Sequence, residues 1–410
     1  MKILFLSDNF PPESNVPATR TYEHAVRWIQ MGHQVTVITG APNFPEGIVH
    51  EGYKNNWYSL EEKNGIRIVR VKTFITANNG FFKRVFDFIS FMVSGFFAGL
   101  FEKQPDVIIA TSPQFFTACA GWALAKVKRR PFVFEMRDLW PESIIAVGEM
   151  KENWLLKCVE WLELFLYRQA DLIIAVTQGL KNNLIARGIP ADKIQIIVNG
   201  VDLSRYSPVT VKDVDFAKQY ALDNKFVIGY VGNHGRAYDL FKILEAAQQL
   251  QAYKDVVFIF VGGGVMREKL LLQFNAMALS NVRIIAKQPQ HIIPRILSLC
   301  DISLIPLKTH PLIMGTIPTK MLESFSMGLP VILGMPEQSD GAKILMEHDC
   351  GLVIEPESVQ CIVDAVLYMF ENKKEIIRFE GNCLQASMKF SRDILAKKYI
   401  QLLENCLEKK

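Results

Sequence analysis

No two of the seven cysteines stand as CxxC, and the count is odd. Most lie inside apolar runs, which argues against a disulfide framework or a zinc site and reads as reduced thiols of a cytosolic protein. Net charge is small too. A formal net charge of +4 over 410 residues is too weak for a dedicated nucleic-acid binder, though it suits weak attraction to an anionic membrane. No strand ends in the GxGxxG fingerprint, which argues against a nicotinamide dehydrogenase. There is no low-complexity tract and no short-period repeat. No apolar run reaches the roughly 20 residues of a membrane span. The opening "KILFLSD" reads directly as a strand, without the basic, apolar and cleavage regions of a secretory leader.

What the chain has in abundance is apolar residues, 50% of the total, with 27 phenylalanines. Large cores can form, and global disorder is excluded. The length suits two domains. "KILFLSD", "QVTVIT", "PDVIIATS", "PFVFEMRD" and "DLIIAVT" are continuous apolar runs alternating with helical spacing, as parallel strands buried on both faces require. The rhythm repeats in "KFVIGYVG", "VVFIFVG", "NVRIIA", "DISLIPL" and "LPVILG". Two runs of β-α units predict two doubly wound domains, residues 1–205 and 206–390, joined through the polar stretch 203–220 and followed by a helix over 391–410. Ligands of such sheets bind beyond the carboxyl ends of the strands, so two domains face to face would share a cleft.

Residues 315–334, "GTIPTKMLESFSMGLPVILG", raise a question of charge. Pro318 suits an early helical position, Thr319 is placed to satisfy the first amides, and Lys320 and Glu323 share a face. A lysine at the positive end of a helix is unfavourable alone, because the dipole there prefers anions. A diphosphate would resolve the conflict by docking on the free N–H groups and the ammonium. Glu323 can accept two hydroxyl hydrogen bonds, as a ribose diol offers. The plainer alternative is a local Lys320–Glu323 ion pair.

Four more stretches bear on function. In "YVGNHGRAYDL", residues 230–240, Gly232 and Gly235 let backbone approach a ligand closely, with Asn233, His234 and Arg236 placed to face a phosphate; a plain strand-to-helix turn is the alternative. In "FEMRDLWPES", residues 134–143, Arg137 and Asp138 emerge past a buried strand. Asp138 is placed to orient or deprotonate a hydroxyl nucleophile, unless the two form a structural pair. In the proline-rich loop 7–25, Glu13, Asn15 and Arg20 are candidates to line the cleft, against the simpler reading of a rigid connector. The helix expected over Phe81–Phe101 is dense in phenylalanine but carries Asp87. It reads as lying on a bilayer surface, assisted by Lys126, Lys128, Arg129 and Arg130, or as a buried crossover helix, and both can hold for different faces.

In their order along the chain, "FPPESNVPATRTYEHA", "GHQVTVITGAPNFPEG", "ATSPQFFTACAGW", "FEMRDLWPESI", "NGVDLSRYSP", "YVGNHGRAYDL" and "IPTKMLESFSMGLPVIL" resemble the retaining family 4 glycosyltransferases of GT-B fold. The nearest likeness is to the bacterial branch with the fucosaminyltransferases of O-antigen and capsule assembly. The resemblance spans essentially the whole chain. It implies an α/β protein of two Rossmann-like domains facing a central cleft, with the terminal helix packed back on the first. A UDP-sugar donor would sit on the C-terminal domain: Glu323 on the ribose, Lys320 with Thr319, Gly232, Asn233 and His234 at the diphosphate, Lys287 and Gln288 at the base. The acceptor, a polyprenyl diphosphate-linked sugar at the cytoplasmic face of a bacterial inner membrane, would sit on the N-terminal domain near Glu13, Asn15, Arg20, Arg137 and Asp138. No cofactor or metal is implied, and no DxD of the kind used by metal-dependent sugar transferases is read.

The chain departs from the family pattern at three positions. Gly315 stands where many members carry a further glutamate, and Asn233 and Tyr238 stand where many carry an arginine and a lysine. Lys320 thereby becomes the leading diphosphate cation, with Arg236 in support, and a deoxy or N-acetylated donor sugar such as FucNAc would account for the lost carboxylate. The expected chemistry is front-face attack with retention: Lys320 and the helix amides stabilise the leaving diphosphate, and Asp138 orients the acceptor. A nucleotide-sugar epimerase on the same architecture, and a non-catalytic membrane-assembly subunit, are the competing classes.

Overall fold

The computed structural model describes residues 1–410 except 14, 45, 77–80, 113, 139–153, 210–212 and 410. The chain divides into two compact units, Met1–Asn199 with Arg392–Lys410, and Gly200–Ser391. The division falls earlier than the 205/206 boundary read from the sequence, because Val201 already bonds to the second unit through Phe390 O, at 2.8 Å.

The first unit runs β1 (Lys2–Leu6), α1 (Val16–Gln30), β2 (Gln34–Gly40), β3 (Tyr58–Lys63), β4 (Ile66–Val71), α2 (Phe81–Phe101), β5 (Val107–Thr111), α3 (Phe115–Lys128), β6 (Phe132–Met136), α4 (Trp154–Gln169), β7 (Leu172–Ala175), α5 (Gln178–Ala186) and β8 (Ile194–Ile196). Its eight strands lie in the order β3-β4-β2-β1-β5-β6-β7-β8. All neighbours are parallel except β3 and β4. The sequence reading missed that hairpin and the short β8. The hairpin had a signal, since Asn64 and Gly65 at its tip take φ of 52° and 78°, as a two-residue I′ turn demands.

The second unit contains α6 (Val214–Gln219), β9 (Phe226–Val231), α7 (Leu240–Gln249), β10 (Val256–Val261), α8 (Arg267–Met277), β11 (Val282–Ile285), α9 (Ile293–Leu297), β12 (Ile302–Pro306), α10 (Thr319–Ser326), β13 (Val331–Gly334), α11 (Asp340–Glu347), β14 (Gly351–Ile354), α12 (Val359–Glu371) and α13 (Lys373–Lys389). Its six strands are ordered β11-β10-β9-β12-β13-β14, all parallel. Of the five strands found in the sequence, β9, β10, β12 and β13 are almost continuously buried, while β11 lies at the sheet edge with Arg283 and Ile284 half-buried. β14, unread there, is only half-buried along its length and lacks that signature. Strand order reverses between β9 and β12 here and between β1 and β5 in the first unit, which is where open α/β sheets take ligands.

After α13 the chain re-enters the first unit as α14 (Arg392–Glu408). Leu395, Ala396, Tyr399 and Leu403 are buried, and the Tyr399 ring meets Trp28 of α1 edge-on at 5.0 Å. Trp28 Nε1 donates to Ala396 O at 3.3 Å. Arg27 bridges Glu23 and Asp393 at 2.5 Å each, and Arg392 reaches Glu23 at 3.3 Å. Trp28→Ala should therefore cost about 3–5 kcal/mol, read as a lowered urea midpoint for the first unit with that of the second unchanged.

Candidate functional site

The loops after β9 and β10 are pressed together backbone to backbone. Gly232, Gly262 and Gly264 have φ of 142°, 153° and 144°. A Cβ on Gly262 would stand 1.9 Å from Gly232 O, and one on Gly264 would stand 2.3 Å from Asn233 Oδ1. Gly232 N–H donates to Val261 O and His234 N–H to Gly263 O, each at 2.8 Å. The two turns form one unit.

Within this unit Asn233 and Arg236 are exposed. His234 is not: its exposure is 0% and, among the described residues, neither ring nitrogen has a partner. Burial, then the nearby Arg267 and Lys320 charges, push its pKa down to about 4. A neutral ring offers an anion an N–H hydrogen bond but no charge. Arg267 is itself committed, donating to Gly262 O at 3.1 Å and Ile285 O at 3.2 Å.

Lys320 projects from the start of α10 to this turn. A Cβ on Gly232 would lie 3.1 Å from its Nζ. The ammonium donates to Tyr230 OH at 3.0 Å and stands 4.1 Å from the Tyr230 ring centre and 3.8 Å from that of Tyr238. Desolvation lowers its pKa from 10.5 to about 7, an effect the Glu323 charge opposes. The residue before α10 is Pro318, and no side chain caps the helix. Thr319 thus opens the helix instead of capping it, correcting the role read for it. The first amides remain available to an anion. Glu323 follows one turn later on α10. Lys287, just past β11, packs near Gly263, where a Cβ would lie 3.5 Å from the lysine Cβ. Gln288 is half-buried and donates to Ala286 O at 3.1 Å. Gly232, Asn233, Lys287 and Lys320 are thereby gathered at one edge of this sheet, while Gly315 closes a 3-10 turn ahead of α10. An Asp-x-Asp spelling, overlooked in the sequence, does occur at Asp213-Val214-Asp215. Asp213 caps α6 and pairs with Arg295 at 2.7 Å.

In the first unit, three of the residues read as acceptor contacts, Glu13, Asn15 and Arg20, make framework contacts. Glu13 is buried and accepts from the Asn43 and Phe44 amides at 2.8 and 2.9 Å. Asn15 caps α1, accepting from Ala18 N–H at 2.9 Å. Arg20, 3% exposed, donates to Val198 O and Ile197 O and pairs with Glu135 at 3.3 Å. Each is spent on holding backbone, which is why none is presented as a free group. Arg137 is buried, its Nη1 without a hydrogen-bond partner among the described residues. Desolvation, aided by the Arg20 charge and opposed by Glu135, lowers its pKa to about 10. Asp138 is exposed, and the rest of the "LWPES" stretch lies outside the described residues.

Sequence reasoning missed two features here. Glu135, 1% exposed on β6, accepts from Thr111 Oγ1 at 3.0 Å and balances Arg20 and Arg137. Asp8, just past β1, has its pKa raised by burial and then by the Asp87 and Glu13 charges, while Asp87 rises to about 7 through burial and Glu13. Asp87, read only as a break in an apolar helix, belongs to a pair of carboxyl groups whose pKa values are both raised.

On the outer side of α2, Phe86, Ile89, Val93, Phe97 and Phe101 form an exposed stripe, Phe101 being 83% exposed, while Phe91 and Ala98 are buried. The reading as a buried crossover helix holds for the inner face, and the outer face is apolar and exposed. No described helix is long and apolar enough to cross a membrane. The basic cluster divides: Lys126 and Arg129 are exposed, but Lys128 donates to Leu100 O and Glu102 O at 3.2 and 3.0 Å, satisfying the end of α2. That commitment removes Lys128 from the surface cluster.

The first unit's sequence matches the Glycosyltransferase Family 4 model over residues 17–205, and the second the Glycosyl transferases group 1 model over residues 211–382. A putative colanic acid biosynthesis glycosyl transferase, WcaI of Escherichia coli K12, is 26% identical over 376 residues, 89% of this chain and 91% of that protein. An Escherichia coli UDP-Gal:alpha-D-GlcNAc-diphosphoundecaprenol alpha-1,3-galactosyltransferase is 26% identical over 220 residues, 52% of this chain and 55% of that protein. Among solved structures, Anabaena Alr3699/HepE in complex with UDP aligns with TM-score 0.74 at 16% identity, covering 99% of this chain and all of that one. Sucrose-phosphate synthase from Thermosynechococcus elongatus aligns with TM-score 0.76 at 15% identity, covering 100% of this chain and 99% of that one.

Glu135→Ala would leave Arg20 and Arg137 buried without their shared counter-charge. It should destabilise the first unit by about 3–5 kcal/mol, measured by urea unfolding.

Proposed function

The chain belongs to the family 4 glycosyltransferases of GT-B fold, and from that premise we propose that it transfers a sugar, with retention, from a UDP-sugar to a polyprenyl diphosphate-linked acceptor in bacterial O-antigen or capsule synthesis. One observation carries the reading: the Lys320 ammonium held over the Gly232 turn at the uncapped start of α10. Negative charge grows on a diphosphate as its bond to the anomeric carbon breaks, and positive groups already in place stabilise that state. Lys320 and the first α10 amides meet the departing UDP, and Glu323 takes the ribose hydroxyls. Since the leaving group's charge is met by protein, the reading requires no metal. The acceptor hydroxyl enters beside the leaving group, oriented by Asp138, and gives its proton to the departing phosphate oxygen.

The undecaprenol-linked substrate in a relative's name and the UDP in a structural neighbour support the acceptor and the nucleotide. Gly315, in place of a carboxylate, supports a donor short of a hydroxyl or bearing an N-acetyl group, such as FucNAc. A donor screen in which UDP-galactose or UDP-glucose turns over faster than N-acetylated deoxy sugars would overturn that part. The phenylalanine stripe of α2, with Lys126 and Arg129, supports a peripheral place on the cytoplasmic face of the inner membrane.

Lys320→Ala should lower kcat by about 10²–10³ with an unchanged melting profile; full activity would refute the role. In the empty site Lys320 is protonated below about pH 7 and neutral above it. A diphosphate favours the ammonium, so UDP binding should be strongest at or below pH 7. Its Kd should then rise towards tenfold per pH unit from pH 7 to 9. Calorimetry in buffers of different ionisation enthalpy should show proton uptake near pH 8, and a flat Kd would contradict this. Phe97→Ser with Phe101→Ser should reduce co-sedimentation with phosphatidylglycerol vesicles, and unaltered binding would remove the stripe from the model.

A further inference from the structure

Lys320 has four rotatable side-chain bonds and emerges where the helix dipole repels a cation. Something must hold it in place. A carboxylate partner would do so, but would also repel the diphosphate and have to be displaced by it. Glu323 is near enough to favour the ammonium, but the groups that seat Nζ are two rings and a hydroxyl. Nζ lies 4.1 Å from the centre of Tyr230 and 3.8 Å from that of Tyr238, with the two rings 5.6 Å apart and inclined at 65°. Aromatic faces attract a cation through their quadrupole and carry no net charge. The rings therefore hold the amine in place without adding a negative charge that a diphosphate would have to displace.

The clamp is tied to the glycine turn. The Tyr230 hydroxyl donates to Asn233 O at 2.5 Å, so its oxygen is left to accept from Lys320 Nζ at 3.0 Å. One chain of hydrogen bonds thus runs from the ammonium to the backbone that would face a phosphate. Tyr238 is placed by backbone as well. It forms an antiparallel bridge with Leu307, while Asp239 N–H donates to Pro306 O and Lys308 N–H to Ala237 O, each at 2.9 Å. The second ring therefore depends on the end of β12 and the first on β9, the two strands that flank the reversal of the sheet.

The geometry points to Tyr230 and Tyr238 as positioning residues that hold the Lys320 ammonium ready for the diphosphate of a nucleotide. This rests on the reading of Lys320 given under the proposed function. Tyr238 occupies the place where many family members carry a lysine, so this chain replaces a second cation with a device that aims the first.

The test compares UDP with uridine, which lacks the diphosphate, by calorimetry on the full-length protein. Tyr238→Leu should weaken UDP about tenfold and leave uridine unchanged, and Tyr238→Phe should rescue most of the loss by restoring a ring face. Tyr230→Phe keeps the ring and removes the hydroxyl; it should weaken UDP about fivefold, again with uridine unchanged, and provides the test if Tyr238→Leu does not fold. In a Lys320→Ala background neither change should weaken UDP further. Equal loss for UDP and uridine, a Phe variant no better than Leu at 238, or a full effect without Lys320 would overturn the proposal. If Lys320→Ala itself binds UDP normally, the functional reading fails. If that variant is impaired while the tyrosine variants are not, only the clamp fails.

Discussion

A cation seated on aromatic rings organises the edge of the second unit. Lys320 stands at the positive end of α10, desolvated enough that its pKa falls to about 7, and two tyrosines hold it there. The neighbouring groups avoid competing with that charge. His234 is sealed and neutral, and Arg267 is turned to backbone carbonyls. A site with this imbalance gains most from a ligand carrying concentrated negative charge, and a diphosphate is such a ligand.

Close approach of backbone makes the arrangement possible. The turns after β9 and β10 meet with no room for a Cβ at Gly262 or Gly264. Gly232 is open enough for the lysine to lie across it. Side chains that reach this edge do so from outside the pair of turns, from α10, from the stretch after β11 and from the segment bridged to β12. Precision comes from strand ends, which are fixed by the sheet, and the loops contribute little freedom of their own.

The first unit manages charge differently. Glu135 lies among Arg20, Arg137 and Thr111 inside the sheet, and the pKa values of Asp8 and Asp87 are raised by burial and by neighbouring carboxylates. Its polar residues mostly carry backbone. Asp138 is the exposed exception among those expected at the acceptor side. The α2 helix separates its functions by face, one packed inward and one left apolar towards the outside.

Much of this was legible in the chain itself. Buried parallel strands announce themselves as unbroken apolar runs, because both of their faces are covered, and the alternation with helices led directly to two doubly wound sheets. Lys320 and Glu323 could be found because a lysine at a helix start violates a local electrostatic preference. The half-buried β14 and the hairpin of β3 and β4 were passed over because their apolar signal is diluted. Partnership over long sequence distances was not legible. Whether Glu13, Asn15 and Arg20 face a ligand or hold the framework depends on Phe44, Ala18 and Val198, and no spacing rule connects Arg20 with Val198. The sequence determined which residues carry charge and which segments must be buried, since those follow from local composition and periodicity. Only the tertiary structure decided which charges are satisfied and which stand waiting, since that is set by the strand order bringing Tyr230, Tyr238 and Lys320 to one place.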